Sequence, residues 1–285
     1  MIGYIQAFLY IISIAMSVIW VDQLGKSYNP WVLLLGVSII ATIIFNLISF
    51  KSFIKNHKLI FQDFGLWLLL SLMMAICWYL TYEATIISSP RALISILFTS
   101  SAGFSAIAQK NYLKFILCTL TVLLIYIVTP ESSYISLIES ILAGLSFFLY
   151  YKYSTKFASK HALTSLDILA VRFYLLIIVS LAFTLYYEFY SVEFKNIVFE
   201  NPISTLLIII LLAIINMIIP NYFSQSSAIH LGYETFSTLV SFTPVITFLL
   251  QGIFYADWNL FIFLACAFAS VILNYNLIIN KLKLL

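Results

Sequence analysis

Few side chains in this chain can do chemistry, and three of them are charges set inside apolar runs. Glu83 lies in WYLTYEATIISSPRALISILF (residues 78–98), Glu139 in YISLIESILAGL and Arg172 in KHALTSLDILAVRF. An ionisable group at membrane depth costs several kcal/mol unless it is paired, hydrated or neutral, so each is a functional candidate by default. Glu83 shares a helical face with Ile76 and Tyr79 and falls about 10 Å beyond the midplane of its span at a 1.5 Å rise per residue. Glu139 enters from the same side to a similar depth. Together the two carboxylates could draw in an amine or a cation, or one could take a proton during a reaction cycle. The alternative is a Glu83 solvated near the interface or bonded to neighbouring hydroxyls. Arg172 could grip an anionic group bidentately; the alternative is snorkelling toward Asp167 or a loop carbonyl.

A second group of candidates is uncharged. The eighth apolar run carries Asn216, Pro220, Asn221, Tyr222 and Gln225, with Asn221 and Gln225 one turn apart on one face. Pro220 removes a donor in mid-helix and permits a bend, and Pro244 in SFTPVIT has the same effect; the two are read as a gate or hinge. Trp78, Tyr79, Tyr82 and Tyr222 offer rings that could stack on a solute or cover an ammonium. Ser95, Thr99, Thr238 and Ser241 offer hydroxyls. Amides and hydroxyls suit a neutral or zwitterionic solute better than a polyanion. His57, His161 and His230 read as solvated loop or helix-end residues. Cys77, Cys118 and Cys266 lie far apart in apolar runs, which suggests buried thiols rather than a disulfide framework or a metal site. No cofactor is expected.

Holding such groups requires helices that use lipid as their solvent. Hydrophobic residues make up 63% of the 285 and charged residues 9%, where a soluble domain has roughly a quarter charged. The ten-residue alternation of a membrane β-barrel is absent. A net charge of +3, spread thinly, leaves no nucleic-acid footprint. The fold class expected is an all-α polytopic membrane protein of ten transmembrane helices, near 3–21, 31–50, 64–87, 91–109, 112–129, 134–155, 165–187, 203–229, 234–254 and 258–279. Pro30 and Pro202 open spans and Pro130 closes one. The longest polar stretch is about 189–202. The N-terminal run reads as a retained first span rather than a signal peptide.

Lysine and arginine orient the spans. One side holds Lys51, Lys55, Lys58, Lys110, Lys114, Lys152, Lys156, Lys160, Lys281 and Lys283, and the other holds Lys26, Arg91 and Lys195. This bias places both termini in the cytoplasm of a cell whose inner (plasma) membrane the chain crosses. Trp20, Trp31 and Trp258 read as anchors at the outer interface. No GxxxG occurs, so helix contacts must rely on Ala, Ser and Thr.

Sliding the chain by 143 residues lays WYLTYEATIISSPRALISILFTSSA on NYFSQSSAIHLGYETFSTLVSFTPV. Tyr79 meets Tyr222, Thr81 meets Ser224, Ser95 meets Thr238 and Ser100 meets Thr243. Five spans per half force the second copy upside down relative to the first, a construction of transporters. The halves are 1–130 and 131–285. The hairpin stretches AtiiSSPrALIS (Ala84–Ser95) and AihLGyeTFST (Ala228–Thr238), with the Lys160…Arg172 pair in KHALTSLDILAVRF, resemble the drug/metabolite transporter superfamily of EamA type. The first half carries Lys26 and Pro30 but no arginine in its second span.

The resemblance implies ten helices as two inverted five-helix repeats around a central substrate cavity. It also implies spans 5 and 10 at the periphery and a secondary transporter without ATPase activity. Expected partners are a small-molecule substrate, the lipid bilayer and protons as a coupling ion, with no nucleic acid, in a monomer or homodimer. Amino-acid-like or related amine-bearing solutes are favoured as substrate. A carrier for S-adenosylmethionine, nucleosides or drugs is the alternative within the superfamily. A membrane-embedded enzyme or a non-transporting scaffold is the alternative outside it.

Overall fold

The computed structural model describes residues 1–25, 29–129, 132–190, 202–240 and 242–274, and among these the chain is helical with no strand. Helix α1 (Ile2–Gly25) is followed by α2 (Pro30–Ile48), whose start is set by Pro30 and by Asn29, whose Oδ1 accepts from the Trp31 amide at 2.8 Å. The segment expected as a basic loop is instead a short helix, α3 (Phe53–Gln62). Its Asn56, Leu59 and Ile60 face inward while Phe53, Ile54 and Phe61 stay exposed. Then come α4 (Phe64–Ile87), α5 (Pro90–Ala108), capped by Ser89 with Pro90 in its first turn, α6 (Tyr112–Val128) and the long α7 (Tyr134–His161).

The remaining rods are broken. Helix α8 (Ser165–Arg172) stops before Phe173, and α9 (Tyr174–Tyr190) continues from it. The break is tolerated because side chains take over its carbonyls. Asn46 donates to the Ala170 carbonyl at 2.8 Å and Trp67 Nε1 to that of Val171 at 2.9 Å. Helix α10 (Pro202–Leu212) passes through a π-helical turn, Ala213–Ile218, into α11 (Ile219–Leu231). Pro220 lies just beyond that turn. Its missing N–H leaves the preceding turn without one donor, which a wider turn accommodates. At Gly232 the chain adopts φ +76°, a conformation glycine accepts at no steric cost. Helix α12 (Tyr233–Val240) starts there, α13 (Thr243–Tyr255) follows and α14 (Leu260–Leu273) ends the described chain. Pro244, expected as a kink within a span, sits in the first turn of α13, where a new helix begins.

Among the described residues, seven stretches are long and apolar enough to cross a membrane: Ile2–Leu24, Pro30–Ile48, Phe64–Thr85, Pro90–Ala108, Tyr134–His161, Ser165–Tyr186 and Ile203–Leu231. Three shorter apolar helices, Tyr112–Val128, Thr243–Tyr255 and Leu260–Ile272, fall where the sequence places the other spans. The chain is an all-α bundle of apolar helices, as a multi-pass membrane protein requires. Helix α7 packs along α4 and α5, α1 along α11, α2 along α9, and α6 against α5 and α14. At Gly144 a Cβ would lie 2.5 Å from the Leu97 carbonyl oxygen, so α5 and α7 touch backbone to backbone.

Trp31 corrects one expectation. It is not an interfacial anchor but a buried ring in a three-ring cluster with Tyr79 and Phe183, with centroids 4.5 and 4.4 Å away. Trp258 is exposed.

Candidate functional site

A cavity lies among α1, α4, α5, α7 and α11. Helix α1 contributes Tyr10 and Ile14, α4 contributes Met74, Cys77, Trp78 and Thr81, and α5 contributes Phe98. Phe147, Tyr150 and Tyr151 come from α7, and Pro220, Asn221 and Ser224 from α11. Its volume is about 40 Å³, room for about three waters at roughly 10–15 Å³ each. The walls are therefore nearly closed on one another.

Arg172 sits behind this cavity and is wholly buried, 0% exposed. It ends α8 at the break before Phe173, which frees its side chain from a continuing helix face. One terminal nitrogen donates to the Tyr150 hydroxyl and lies 3.4 Å from Gln225 Oε1; the other donates to Asn221 Oδ1. The guanidinium also lies over the rings of Tyr150 and Phe173, 5.0 and 4.6 Å from their centroids. Tyr150 Oη donates in turn to Gln225 Oε1, and Ser154 Oγ donates to the same oxygen at 3.0 Å. Asn221 spends its amide on the Met217 carbonyl at 2.6 Å. Every partner of Arg172 is neutral, and among the described residues no carboxylate pairs with it. Snorkelling toward Asp167 does not occur. That carboxylate accepts instead from Ser52, Asn56 at 2.8 Å and Thr164 at 2.7 Å, tying α3 to the start of α8.

The other sequence candidates are dispersed. Trp78 lines the cavity, whereas Tyr79 belongs to the stack with Trp31 and Phe183. Tyr82 is buried and donates to Asn216 Oδ1 at 2.7 Å, joining α4 to the π-helical turn. Glu83 and Glu139 are half-buried, and Glu139 Oε2 is buried without a hydrogen-bond partner; neither residue is among the cavity's lining. Ser95 lies 3.5 Å from Cys266 Sγ, toward α14, and Thr99 is buried in α5. Asn221 and Pro220 line the cavity, Gln225 binds behind it and Tyr222 is half-buried against Phe223. Thr238 falls in α12, and Ser241 lies outside the described residues, as do Pro130, Lys26, Lys195 and the lysines at 281 and 283.

Tyr10, Tyr150 and Tyr151 escaped sequence reasoning. A usable signal was present: Phe147, Tyr150, Tyr151 and Ser154 follow the i, i+3, i+4, i+7 spacing of one helical face.

Two ends flank the cavity. At one, Arg91 Nη2 pairs with Asp257 Oδ2 at 2.6 Å, and Tyr255 donates to Asp22 at 2.7 Å. At the other, Asp63 takes Lys160 at 2.6 Å and His161 at 3.0 Å, and these two hydrogen bonds hold its carboxyl below the usual range. That second end also bears a groove of about 620 Å³ between α7 and the α11–α12 turn, lined by Lys152, Thr155, Lys156, Ser159, Gly232 and Tyr233 among others. Tyr233 of the groove stacks on Tyr151 of the cavity, centroids 6.0 Å apart at 22°. A ring of the groove thus stacks on a ring of the cavity wall.

No protein-family model matches the chain and no curated protein matches it. Twenty-one chains of solved structures do match. One of them, a crystal structure of a protein with no stated function, aligns over 96% of both chains at a TM-score of 0.61 and 14% identity. That likeness extends to the fold alone.

Proposed function

We propose that the protein is a secondary transporter that carries a small metabolite across the inner membrane by alternating access. The carrying observation is the narrow cavity edged by a buried guanidinium and amides, one of whose tyrosines stacks on a tyrosine of a wide groove at one end. In a bilayer, ionisable and amide groups held at this depth mark solute pathways. Among the described lining residues no histidine or carboxylate stands beside the Cys77 thiol or the Thr81 and Ser224 hydroxyls to activate them, which favours a carrier over an enzyme.

Ten crossings in two inverted halves, 1–130 and 131–285, complete the reading, and the packing supports it. The offset of 143 lays Ser89, between α4 and α5, on Gly232, between α11 and α12. It also lays α2 on α9 and α5 on α12–α13. Exchanging the halves then turns the α4–α7 contact into the α11–α1 contact, and both are extensive. Two similar halves in opposite orientation can trade shapes, and that exchange opens one side while closing the other. The lysine bias puts the groove, with Lys152 and Lys156, on the cytoplasmic side together with both termini. Arg91–Asp257 and Asp22–Tyr255 then close the outer side. Glu83 and Glu139, both toward that outer side, are where a coupling proton would ride.

The test is reconstitution of the full chain into sealed vesicles loaded with a mixed metabolite extract. Exchange of at least one small solute above empty vesicles is expected. Indistinguishable solute profiles with and without protein would remove the carrier reading.

A further inference from the structure

We infer that Arg172 anchors the carboxylate of the transported solute, and that this solute is a small monocarboxylate with an apolar or aromatic body. The inference rests on the carrier reading and narrows it. Arg172 is a full positive charge with no exposure and, among the described residues, only neutral oxygens around it. Hydrogen bonds to phenol and amide oxygens satisfy its donors in part, but they do not cancel its charge. A buried charge left uncompensated is strongly destabilising. An anionic ligand supplies what the fold omits.

The donor census points the same way. Arg172 Nε and Gln225 Nε2 are both buried without an acceptor. The locality thus has surplus donors and lacks acceptors. An amine or a cation would add donors to that surplus, whereas a carboxylate brings two oxygens and about four lone-pair sites. A guanidinium meets a carboxylate through two parallel N–H groups, and the unoccupied Nε–H is one of the donors such a fork uses. One positive charge balances one negative charge, so a phosphate ester carrying two would be left half-paired. Tyr150 and Asn221 hold Arg172 and also line the cavity, so an anion there reaches the guanidinium by displacing or sharing these two contacts.

The rest of the ligand is defined by what it would touch. Tyr10, Trp78, Phe98, Phe147 and Tyr151 surround the cavity, and such walls favour an apolar or ring-bearing body. Glu83 and Glu139 lie off the lining, so an amino group is tolerated rather than required.

The experiment measures the thermal unfolding midpoint of the full-length protein in lipid nanodiscs with four compounds. These are 3-phenylpropanoate, 4-methylpentanoate, 3-phenylpropanamide and 2-phenylethylamine. Both carboxylates should raise the midpoint with concentration, while the amide and the amine should not. Arg172→Lys should weaken the carboxylate response about tenfold, since an ammonium lacks the planar fork, and Arg172→Gln should abolish it. If the Arg172 variants fail to fold, the comparison of four compounds on the native protein still decides, and Tyr150→Phe should weaken the carboxylates several-fold. An equal response to the amide or the amine, no response to either carboxylate, or an undiminished response in a folded Arg172→Gln would overturn the assignment. Vesicles that move the amine without need of Arg172 would leave the carrier and remove this anchor. Carboxylate binding without movement of any solute would do the reverse.

Discussion

Arg91 and Arg172 are both hidden in the bundle, 3% and 0% exposed, yet their surroundings differ in kind. Arg91 stands in the first turn of α5 and meets Asp257 of the α13–α14 connection at 2.6 Å, with the Asp257 backbone carbonyl accepting as well. Asp257 is itself about half exposed, so the pair keeps contact with water. Arg172 lies at a helix break in the middle of the structure, held by a phenol and two amides, with no carboxylate among the described residues. A charge with its counter-charge in place fastens two elements together. A charge without one is poised for something that arrives and leaves. The difference separates a clasp from a binding group.

Arg172→Gln should lower carboxylate affinity by about 30-fold or more, from the roughly 2–5 kcal/mol that truncating a buried charged contact costs. Equilibrium binding to the purified protein reads this out, and a change under about threefold would contradict it. Arg91→Gln should do the opposite: binding unchanged, stability lower by about 1–2 kcal/mol, a value between exposed and buried pairs. Thermal unfolding of Arg91→Gln, Asp257→Asn and the double variant measures it, and the two single losses should not add.

Tyr150→Phe should weaken binding by about 1 kcal/mol, the usual worth of one hydrogen bond, while leaving the aromatic wall intact. Glu83→Gln, remote from the cavity lining, should change the pH profile of transport while expression stays normal; an unchanged profile would exclude Glu83 from coupling.

The smallest effect belongs to the clasp on the other end. Hydrogen bonds from Lys160 and His161 hold Asp63 below its ordinary range. Its folded value is therefore depressed, and its contribution is fully present above the unfolded carboxylate value of about 3.9. The contribution is lost as pH falls through that value toward the lower folded one. Lys160 is mostly exposed, so at most about 1 kcal/mol is at stake. Acid unfolding of Asp63→Asn should show a correspondingly flatter pH dependence.

Much of the fold was legible because hydropathy is a signal along one dimension. Pro30 and Pro202 begin helices where the sequence places span starts, and the turn SSP at residues 88–90 separates α4 from α5. The breaks at Phe173 and before Pro244 were not legible as breaks. Phe173 carries no breaker signal, and the side chains that satisfy the freed carbonyls, Asn46 and Trp67, come from distant runs.

The site divides in the same way. Arg172, Asn221 and Gln225 stand out by composition alone, since polar groups are rare in apolar helices. Tyr150 does not, because one tyrosine among nineteen gains its meaning only from the guanidinium that another helix brings beneath it. Trp31 was misread for a related reason: a tryptophan at a span end suggests an interface until Tyr79 and Phe183 are seen to cover it.

The most direct measurement is uptake of labelled 3-phenylpropanoate into sealed vesicles carrying the native protein, Arg91→Gln or Arg172→Gln at matched protein density. Uptake above empty vesicles by the native protein and by Arg91→Gln, and none by Arg172→Gln, is the predicted result. Uptake by Arg172→Gln equal to that of the native protein, or none by any of the three, would contradict it.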